Sequence, residues 1–431
     1  MVAITSWGRL SNQEHLVLGL ERNNPQLQLE NCLKGLPFGM GRSYGDSCLN
    51  PGGALWKMRH LDRFIEFEPK KGLLKCEPGV LLRDIQEFMI PRGWSLPVTP
   101  GTQIVTVGGA IANDVHGKNH FSYGSFGNHI KSLNLLRTDG SLIQCSASNN
   151  RDWFEATIGG LGLTGLIVEA EIQLKRTAGP WLEVEVLPFH SLNELFELSN
   201  QSESNWEFNV AWVDCMLKKK IRGIFSRANT SASKDQTFSP RSPKLMPFTP
   251  PVSLVNRLTL KPFNEFYFRS QKLKKASQKL HYQQFFYPLD GILEWNRMYG
   301  RRGFYQYQFV IGSENIYEVL KEILDVISKS GEGSFLAVLK TFGNIKSQGL
   351  LSFPMPGVTL ALDFPNKGQS TLKLFSHLDQ LVKEANGRLY AAKDARMSKD
   401  MFEAGYPNLA EFKKFRDPGI SSAMSRRLFE N

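Results

Sequence analysis

Cysteine is scarce in this chain. Five occur in 431 residues, at positions 32, 48, 76, 145 and 215, and none forms a CxxC pair. That scarcity argues against a disulfide framework or a cysteine zinc site and fits a reducing compartment. No run of eighteen apolar residues occurs, which excludes a spanning helix. Residues 1–10 lack both a basic stretch and a long apolar core, so no signal peptide is expected and a cytoplasmic location is. Also missing are GxxxxGK[ST] and any GxGxxG between a strand and a helix, which argues against a P-loop and a nicotinamide fold. His116 and His120 have a spacing that could suggest a metal, but no carboxylate motif completes such a site, so no metal is expected.

What is present is charge, unevenly spread. The chain carries +11 formal charge. Between Asp214 and Leu280 stand fifteen Lys/Arg against three Asp/Glu, a surplus of +12, so the rest is close to neutral. Such an island can attract phosphate groups of a nucleic acid, an anionic lipid or a phosphorylated substrate. It lacks the interleaved stacking aromatics of a recognisable RNA module, so no nucleic acid is expected. Residues 229–251 are rich in Ser, Thr, Lys and Pro and read as a long mobile loop beside the basic residues, able to dip into a membrane interface.

Two glycine-bearing segments dominate the first third: Pro37-Phe38-Gly39-Met40-Gly41-Arg42-Ser43-Tyr44-Gly45-Asp46, and Gly101 to Gly117 with Thr106-Val107-Gly108-Gly109 and Asn113-Asp114-Val115-His116. Glycine allows positive φ and close backbone approach, and successive N–H groups can form an anion nest for a pyrophosphate. Two such turns separated by strand-like sequence predict two walls of one flavin site. A third glycine run, Gly159-Gly160-Leu161-Gly162, follows downstream.

Periodicity places these motifs. Residues 64–67 and 73–76 flank a Pro-Lys-Lys-Gly turn and predict a hairpin, as do 133–137 and 142–145 around Asp139-Gly140. Leu82, Ile85 and Met89 predict a short helix stopped by Pro91-Arg92-Gly93. Asp152 is the expected cap of a helix ending at Ile158, and Ile167 to Leu174 reads as a half-buried strand. From Phe304 the order is strand 304–311, helix from Ile316 to Ile327, strands 335–341 and 358–364, helix 372–385 and strand 388–390. That β-α-β-β-α-β order predicts a ferredoxin-like sheet.

With these motifs in order, the chain resembles the FAD-binding oxidases of the vanillyl-alcohol oxidase/p-cresol methylhydroxylase superfamily, and within it those that oxidise lipid-linked pentoses. The resemblance also runs through Gly124–His129, Trp295–Gly300, Gln306–Phe309, Phe335–Gly343 and Gly387–Asp394, covering most of the chain outside 180–260. It implies an α+β fold: a two-part FAD-binding domain of the p-cresol methylhydroxylase type (residues 1–179, completed by 388–431), with an inserted substrate domain (180–387) built on the ferredoxin-like antiparallel sheet. It implies flavin contacts at Gly39, Met40, Gly41, Arg42, Ser43, Tyr44, Gly45, Gly101, Thr106, Val107, Gly108, Gly109, Asn113, His116, Ile167 and Tyr390. Some relatives attach FAD through a histidine at the place of Arg42. Arginine cannot form that bond, so the FAD is expected to be non-covalent. Lys393, Tyr44 and His116 are the implied catalytic residues; Lys118, Gln308, Lys340, Phe342 and Thr359 line the implied substrate pocket. Thr359 and Ala361 replace an Asn and a Cys of well-known members, which alters the pocket wall.

The expected reaction is oxidation of a sugar secondary alcohol, the 2′-hydroxyl of a polyprenylphosphoryl ribose. A short-chain NAD(P)H reductase is the expected partner, together with peripheral contact at the inner face of the plasma membrane. The alternative is an aldonolactone or alditol oxidase using oxygen. Whether Lys393 serves as base or as cationic stabiliser stays open at this point.

Overall fold

In the computed structural model, residues 1–20, 33–218, 220–232, 242–312 and 315–430 are described. The first sheet is mixed: β1 (Val2–Ile4), β2 (Gln13–Gly19), β3 (Gly35–Phe38) and β4 (Ala54–Lys57) lie in the order β1-β2-β4-β3, with β4 parallel to both neighbours. The second is antiparallel: β5 (Phe64–Glu68), β6 (Leu73–Cys76), β7 (Ile130–Leu136), β8 (Leu142–Ser146) and β9 (Leu166–Gln173), ordered β5-β6-β9-β7-β8. Both expected hairpins are in it. Its apolar face packs on α1 (Leu82–Met89) and α2 (Val107–Ala112), burying Leu74, Leu82, Ile85, Val107, Ile111, Leu133 and Ile172 together. α1 buries Leu82, Ile85 and Met89 on one face, and the turn after it closes on Gly93 at φ 78°.

The third sheet has eight strands and answers the ferredoxin-like expectation twice over. Its strands are β10 (Trp181–Phe189), β11 (Phe208–Val213), β12 (Gly223–Ser231), β13 (Ser277–His281), β14 (Phe304–Ile311), β15 (Val338–Phe342), β16 (Gly357–Pro365) and β17 (Arg388–Leu389). They lie in the order β13-β10-β12-β11-β15-β16-β14-β17. With α4 (Leu192–Glu203) and α5 (Arg257–Lys272) the first four strands form one β-α-β-β-α-β unit; with α6 (Ile316–Ser330) and α7 (Gln369–Glu384) the last four form another. The units join edge to edge through Ala211↔Leu339 and Trp212↔Val338, so each covers an edge the other would leave open. Sequence periodicity reveals only the second unit, because α5 is apolar on both faces and a long polar connection separates it from β12.

Three local expectations are corrected. Asp152 is not the cap of its helix: α3 (Arg151–Thr157) starts after Asn150, at φ 47°, and Asp152 sits in the first turn, where its carboxylate suits the N-terminal dipole. β15 starts at Val338 rather than Phe335, since Phe335 and Ala337 give their carbonyls to the Trp212 indole and the Val213 N–H. Residues 229–251 are not one long loop: 229–231 complete β12, and Lys244–Leu245 pair in parallel with Ile292–Leu293. Residues 233–241 of that stretch lie outside the described residues.

The C-terminal segment returns to the first sheet. Gly35 N–H donates to the Gly419 carbonyl at 2.9 Å, Ser421 N–H to Gly35 at 3.0 Å, and Ala423 N–H to Leu49 at 2.7 Å. α8 (Ala423–Phe429), capped by Ser422 and Ser425, then places Arg427 against Asp46 at 3.0 and 2.9 Å and against Asp394 at 3.1 Å. Leu36, Leu55 and Trp56 share one core with Phe304, Phe309, Phe402, Met424 and Leu428. Replacing Arg427 by Leu takes from Asp46 the cation it pairs with and from Asp394 one of two, Arg396 remaining 3.7 Å away, and is expected to lower stability by about 2 kcal/mol. A lower denaturant midpoint checks this.

Candidate active site

Three pieces of chain far apart in sequence meet at one place. A Cβ on Gly39 would lie 2.5 Å from Thr106 Oγ1, so the two glycine segments touch. One on Gly45 would lie 1.6 Å from the Asp394 carbonyl oxygen, so the returning tail touches the first of them. Tyr44 N–H donates to the Ala392 carbonyl at 3.1 Å, and the Tyr390 hydroxyl donates to the Asn113 carbonyl at 2.8 Å.

The donors of the two turns differ in availability. In the second, Val107 N–H is used by Val80, Gly108 N–H by Pro78 at 2.8 Å and Gly109 N–H by Thr106 Oγ1 at 3.2 Å. In the first, the Ser43 and Tyr44 carbonyls are taken by Trp7 and Gly8, while the N–H groups of Gly39 to Ser43 have no protein acceptor among the described residues. With Gly41 at φ +59°, this is an open N–H nest of the kind that holds an anion. The anion nest therefore belongs to the first turn, and the second supplies a wall. Among the described residues, no atom beyond its chain neighbours approaches the Cβ position of Gly101 within 4 Å. Ile167 sits at the irregularity in β9. Asn113 spends one amide N–H on the Gly109 carbonyl at 2.8 Å. Arg42 lies over the Trp7 ring at 4.3 Å with its guanidinium on the Met40 carbonyl, and has no chemistry for a flavin bond. After denaturation and acid precipitation, the yellow colour is expected in the supernatant; an absorbance reading of both fractions checks it.

The other wall comes from the large sheet, by register. Residues directly opposite in antiparallel strands point to the same face. Gln306↔Asp363, Val310↔Thr359 and Thr359↔Lys340 are such pairs, and Gln308 lies on the same face by the alternation of β14. Gln308 Nε2 donates toward Thr359 Oγ1 at 3.3 Å and lies 3.0 Å from His116 Nε2, joining sheet to glycine segment. Since the amide nitrogen is the donor, His116 Nε2 accepts and the ring proton sits on Nδ1, a buried atom with no partner among the described residues. His116 packs edge-on against Phe342 at 5.0 Å and against Tyr390 at 5.3 Å. His120 lies tilted against Phe342 at 4.4 Å, and among the described residues no group of three His, Cys, Asp or Glu is placed to hold a metal.

Cations crowd this volume. Lys340 donates to the Gly117 carbonyl at 3.2 Å; Lys118 donates to the Phe285 carbonyl; Lys393 lies 3.8 Å over the Tyr44 ring. Burial, and then the Lys340 charge, push Lys118 down to about 7 and His120 to about 4. Burial alone brings Lys340 to about 8. His116 is held well below the ordinary imidazole range by burial, then by Lys340, His120 and Lys393, so it is neutral at pH 7. Lys393 is lowered to about 7 by burial, with Asp363 opposing and Lys340 adding to the shift. Asp363, whose Oδ1 accepts from Gln306 at 2.7 Å, is raised by burial to about 7, and its Oδ2 has no hydrogen-bond partner among the described residues.

Asp363 and Gln306 are the residues that the geometry adds to the candidate site and that the motif reading passed over. Two glutamines alternating in an aromatic strand, opposite a lone aspartate in an apolar one, were the available signal: buried polar side chains on one sheet face mark a site.

Comparison with known proteins supports the flavin reading. The family described as FAD binding domain matches residues 28–146. Decaprenylphosphoryl-beta-D-ribose oxidase of Mycolicibacterium smegmatis is 39% identical over 409 residues, 90% of this chain and 88% of the relative. The chain belongs to the decaprenylphosphoryl-beta-D-ribose oxidase family. It is an FAD-dependent oxidoreductase. Other relatives match over a smaller part of the chain. Human Delta(24)-sterol reductase is 32% identical over 117 residues, 27% of the chain and 23% of the relative, and mouse L-gulonolactone oxidase 29% over 135 residues, 31% of the chain and 30% of the relative. No helix among the described residues is long and apolar enough to cross a membrane.

Proposed function

We propose that this enzyme oxidises the 2′-hydroxyl of a polyprenylphosphoryl ribose to the 2′-ketone. In this reading residues 1–179 and 388–431 hold the cofactor and 180–387 form the inserted substrate domain. The observation that carries it is a lysine, Lys393, set over Tyr44 at the open N–H nest and facing a sheet that offers one buried carboxylate and further lysines. Bound FAD supplies a hydride acceptor. The nest of Gly39 to Ser43 would hold its pyrophosphate, and Gly101, Thr106 to Gly109, Asn113, Ile167 and Tyr390 would form the walls. The substrate hydroxyl would lie within hydrogen-bond reach of Lys393, whose amine would take its proton as the carbinol carbon gives up its hydride. Lys340 and Lys118 give the pocket a positive interior suited to the phosphodiester oxygens, while Gln308, Thr359 and Phe342 shape the sugar's seat. The keto product then leaves for a short-chain NAD(P)H reductase, giving net epimerisation in glycan-precursor synthesis. The enzyme works in the cytoplasm, touching the inner face of the plasma membrane where its lipid substrate lies.

The sign of the pH effect follows from the lowered lysine. Below about 7 Lys393 is protonated and cannot accept a proton, so flavin reduction is expected to rise about tenfold per pH unit until it levels above 7. Asp363 holds that value up; Asp363→Asn removes its charge and is expected to move the profile to lower pH. Anaerobic stopped-flow traces across pH 5–9 check both. For the substrate, flavin bleaching is measured with prenylphosphoryl ribose, free pentoses, L-gulonolactone and alditols. Bleaching by the lactone or the alditol but not by the prenylphosphoryl sugar overturns the reading.

A further inference from the structure

Helix α5 departs from the ordinary pattern of a surface helix. Its inner face buries Leu260, Asn264 and Phe268. Its outer face, which water would be expected to cover, is apolar as well: Leu258 is 86% exposed and Phe266 72%, and Leu273, just after the helix, is 86% exposed. These residues and Pro262 recur at spacings of four and seven, so they form one outward stripe. Val252 and Phe248, on the approach to the helix, are also exposed, at 73% and 62%. Monomeric proteins rarely leave such a contiguous apolar surface in water.

The charge around the stripe says what covers it. From Lys244 to Lys279 there are eight Lys/Arg and one Glu. Arg257, Lys261, Arg269 and Lys272 flank the stripe at helical spacing. The one acid, Glu265, is neutralised by Arg222 at 2.7 Å and by Arg269. An apolar ridge between cationic margins is the signature of a helix lying in the plane of an anionic bilayer, its ridge among the acyl chains and its lysines at the headgroups.

We infer that α5 and its flanking turns are an in-plane anchor that docks the enzyme on an anionic lipid surface. The inference rests on the lipid-linked substrate proposed above only for its purpose; the surface itself is independent of it. Because α5 and Lys340 belong to sheet units joined edge to edge, docking here would hold the pocket in a fixed position relative to the membrane.

The test uses the full-length FAD-loaded enzyme and vesicles of phosphatidylcholine with or without 30% phosphatidylglycerol. Wild type is expected to sediment with the anionic vesicles, at least tenfold more weakly with neutral ones, and to be released by about 0.5 M salt. Leu258→Ser with Phe266→Ser, at sites too exposed to carry the fold, should lower vesicle binding at least tenfold with flavin content and melting unchanged. In a second variant, Phe266→Trp, the new indole should blue-shift only on anionic vesicles. Equal binding of the Ser pair and wild type, a failure of wild type to bind anionic vesicles, or a blue shift that tracks protein concentration instead of lipid overturns the inference, the last by pointing to a second protein copy. Turnover of a short-prenyl substrate in detergent is read in parallel. Turnover without vesicle binding removes the anchor and leaves the reaction; vesicle binding without turnover does the reverse.

Discussion

Lys393→Met should cut the rate of substrate-driven flavin reduction about a thousandfold while the protein still binds FAD. Methionine keeps the apolar stem over the Tyr44 ring, so the turn of Gly39 to Gly45 and its N–H nest need not move. What is lost is the group able to take the hydroxyl proton, and the two other buried lysines are held elsewhere, Lys340 on the Gly117 carbonyl and Lys118 on the Phe285 carbonyl. Asp363 is raised to about 7 with Lys393 present, and losing the neighbouring cation pushes it higher still, toward the protonated form that cannot act as base. His116 is neutral but accepts from Gln308 through Nε2. Stopped-flow reduction under anaerobic conditions gives the rate, and the flavin absorption bands confirm loading. Small primary amines added to the Lys393→Ala variant should restore part of the rate, with a dependence on the amine's pKa. A variant that reduces its flavin at the wild-type rate removes Lys393 from the mechanism.

Gly45→Ala should abolish the folded, flavin-loaded enzyme. The difficulty is not backbone conformation, for Gly45 has φ −103°. It is space: the added carbon would lie 1.6 Å from the Asp394 carbonyl oxygen and 2.8 Å from the Ala395 nitrogen, and backbone cannot rotate away as a side chain can. The two segments must part, taking the Tyr44 to Ala392 hydrogen bond and the Arg427 bridge between Asp46 and Asp394 with them. Overpacking against a fixed neighbour costs about 3 kcal/mol or more. Gly101→Ala is the contrasting case, because among the described residues no atom beyond its chain neighbours lies within 4 Å of its new carbon. That variant should fold with an unchanged denaturant midpoint and bind FAD more weakly, if the Gly101 backbone approaches the cofactor as proposed. Soluble yield, midpoint and FAD titration on both variants distinguish a glycine required by the fold from one required by the ligand. A stable, FAD-loaded Gly45→Ala protein contradicts the contact.

The chain's own order of residues determined a good deal. The two glycine segments, the hairpins at 64–76 and 133–145 and the second β-α-β-β-α-β unit are local patterns, readable because apolar period, turn residues and strand length agree within a few residues of one another. The cofactor class followed from the same motifs. Tertiary structure decided which glycine turn keeps free donors, since that depends on whether Val80 and Pro78, distant in sequence, use the N–H groups first. It decided that Asp363 and Gln306 join the site, because strand register, not sequence distance, puts them on the face of Lys340 and Gln308. The first β-α-β-β-α-β unit also came only from structure: a helix apolar on both faces has no clear period until one face is known to be covered. Local propensity is written residue by residue, whereas the pKa of Lys393 is set by the groups that folding brings around it, and those come from three separate stretches of chain.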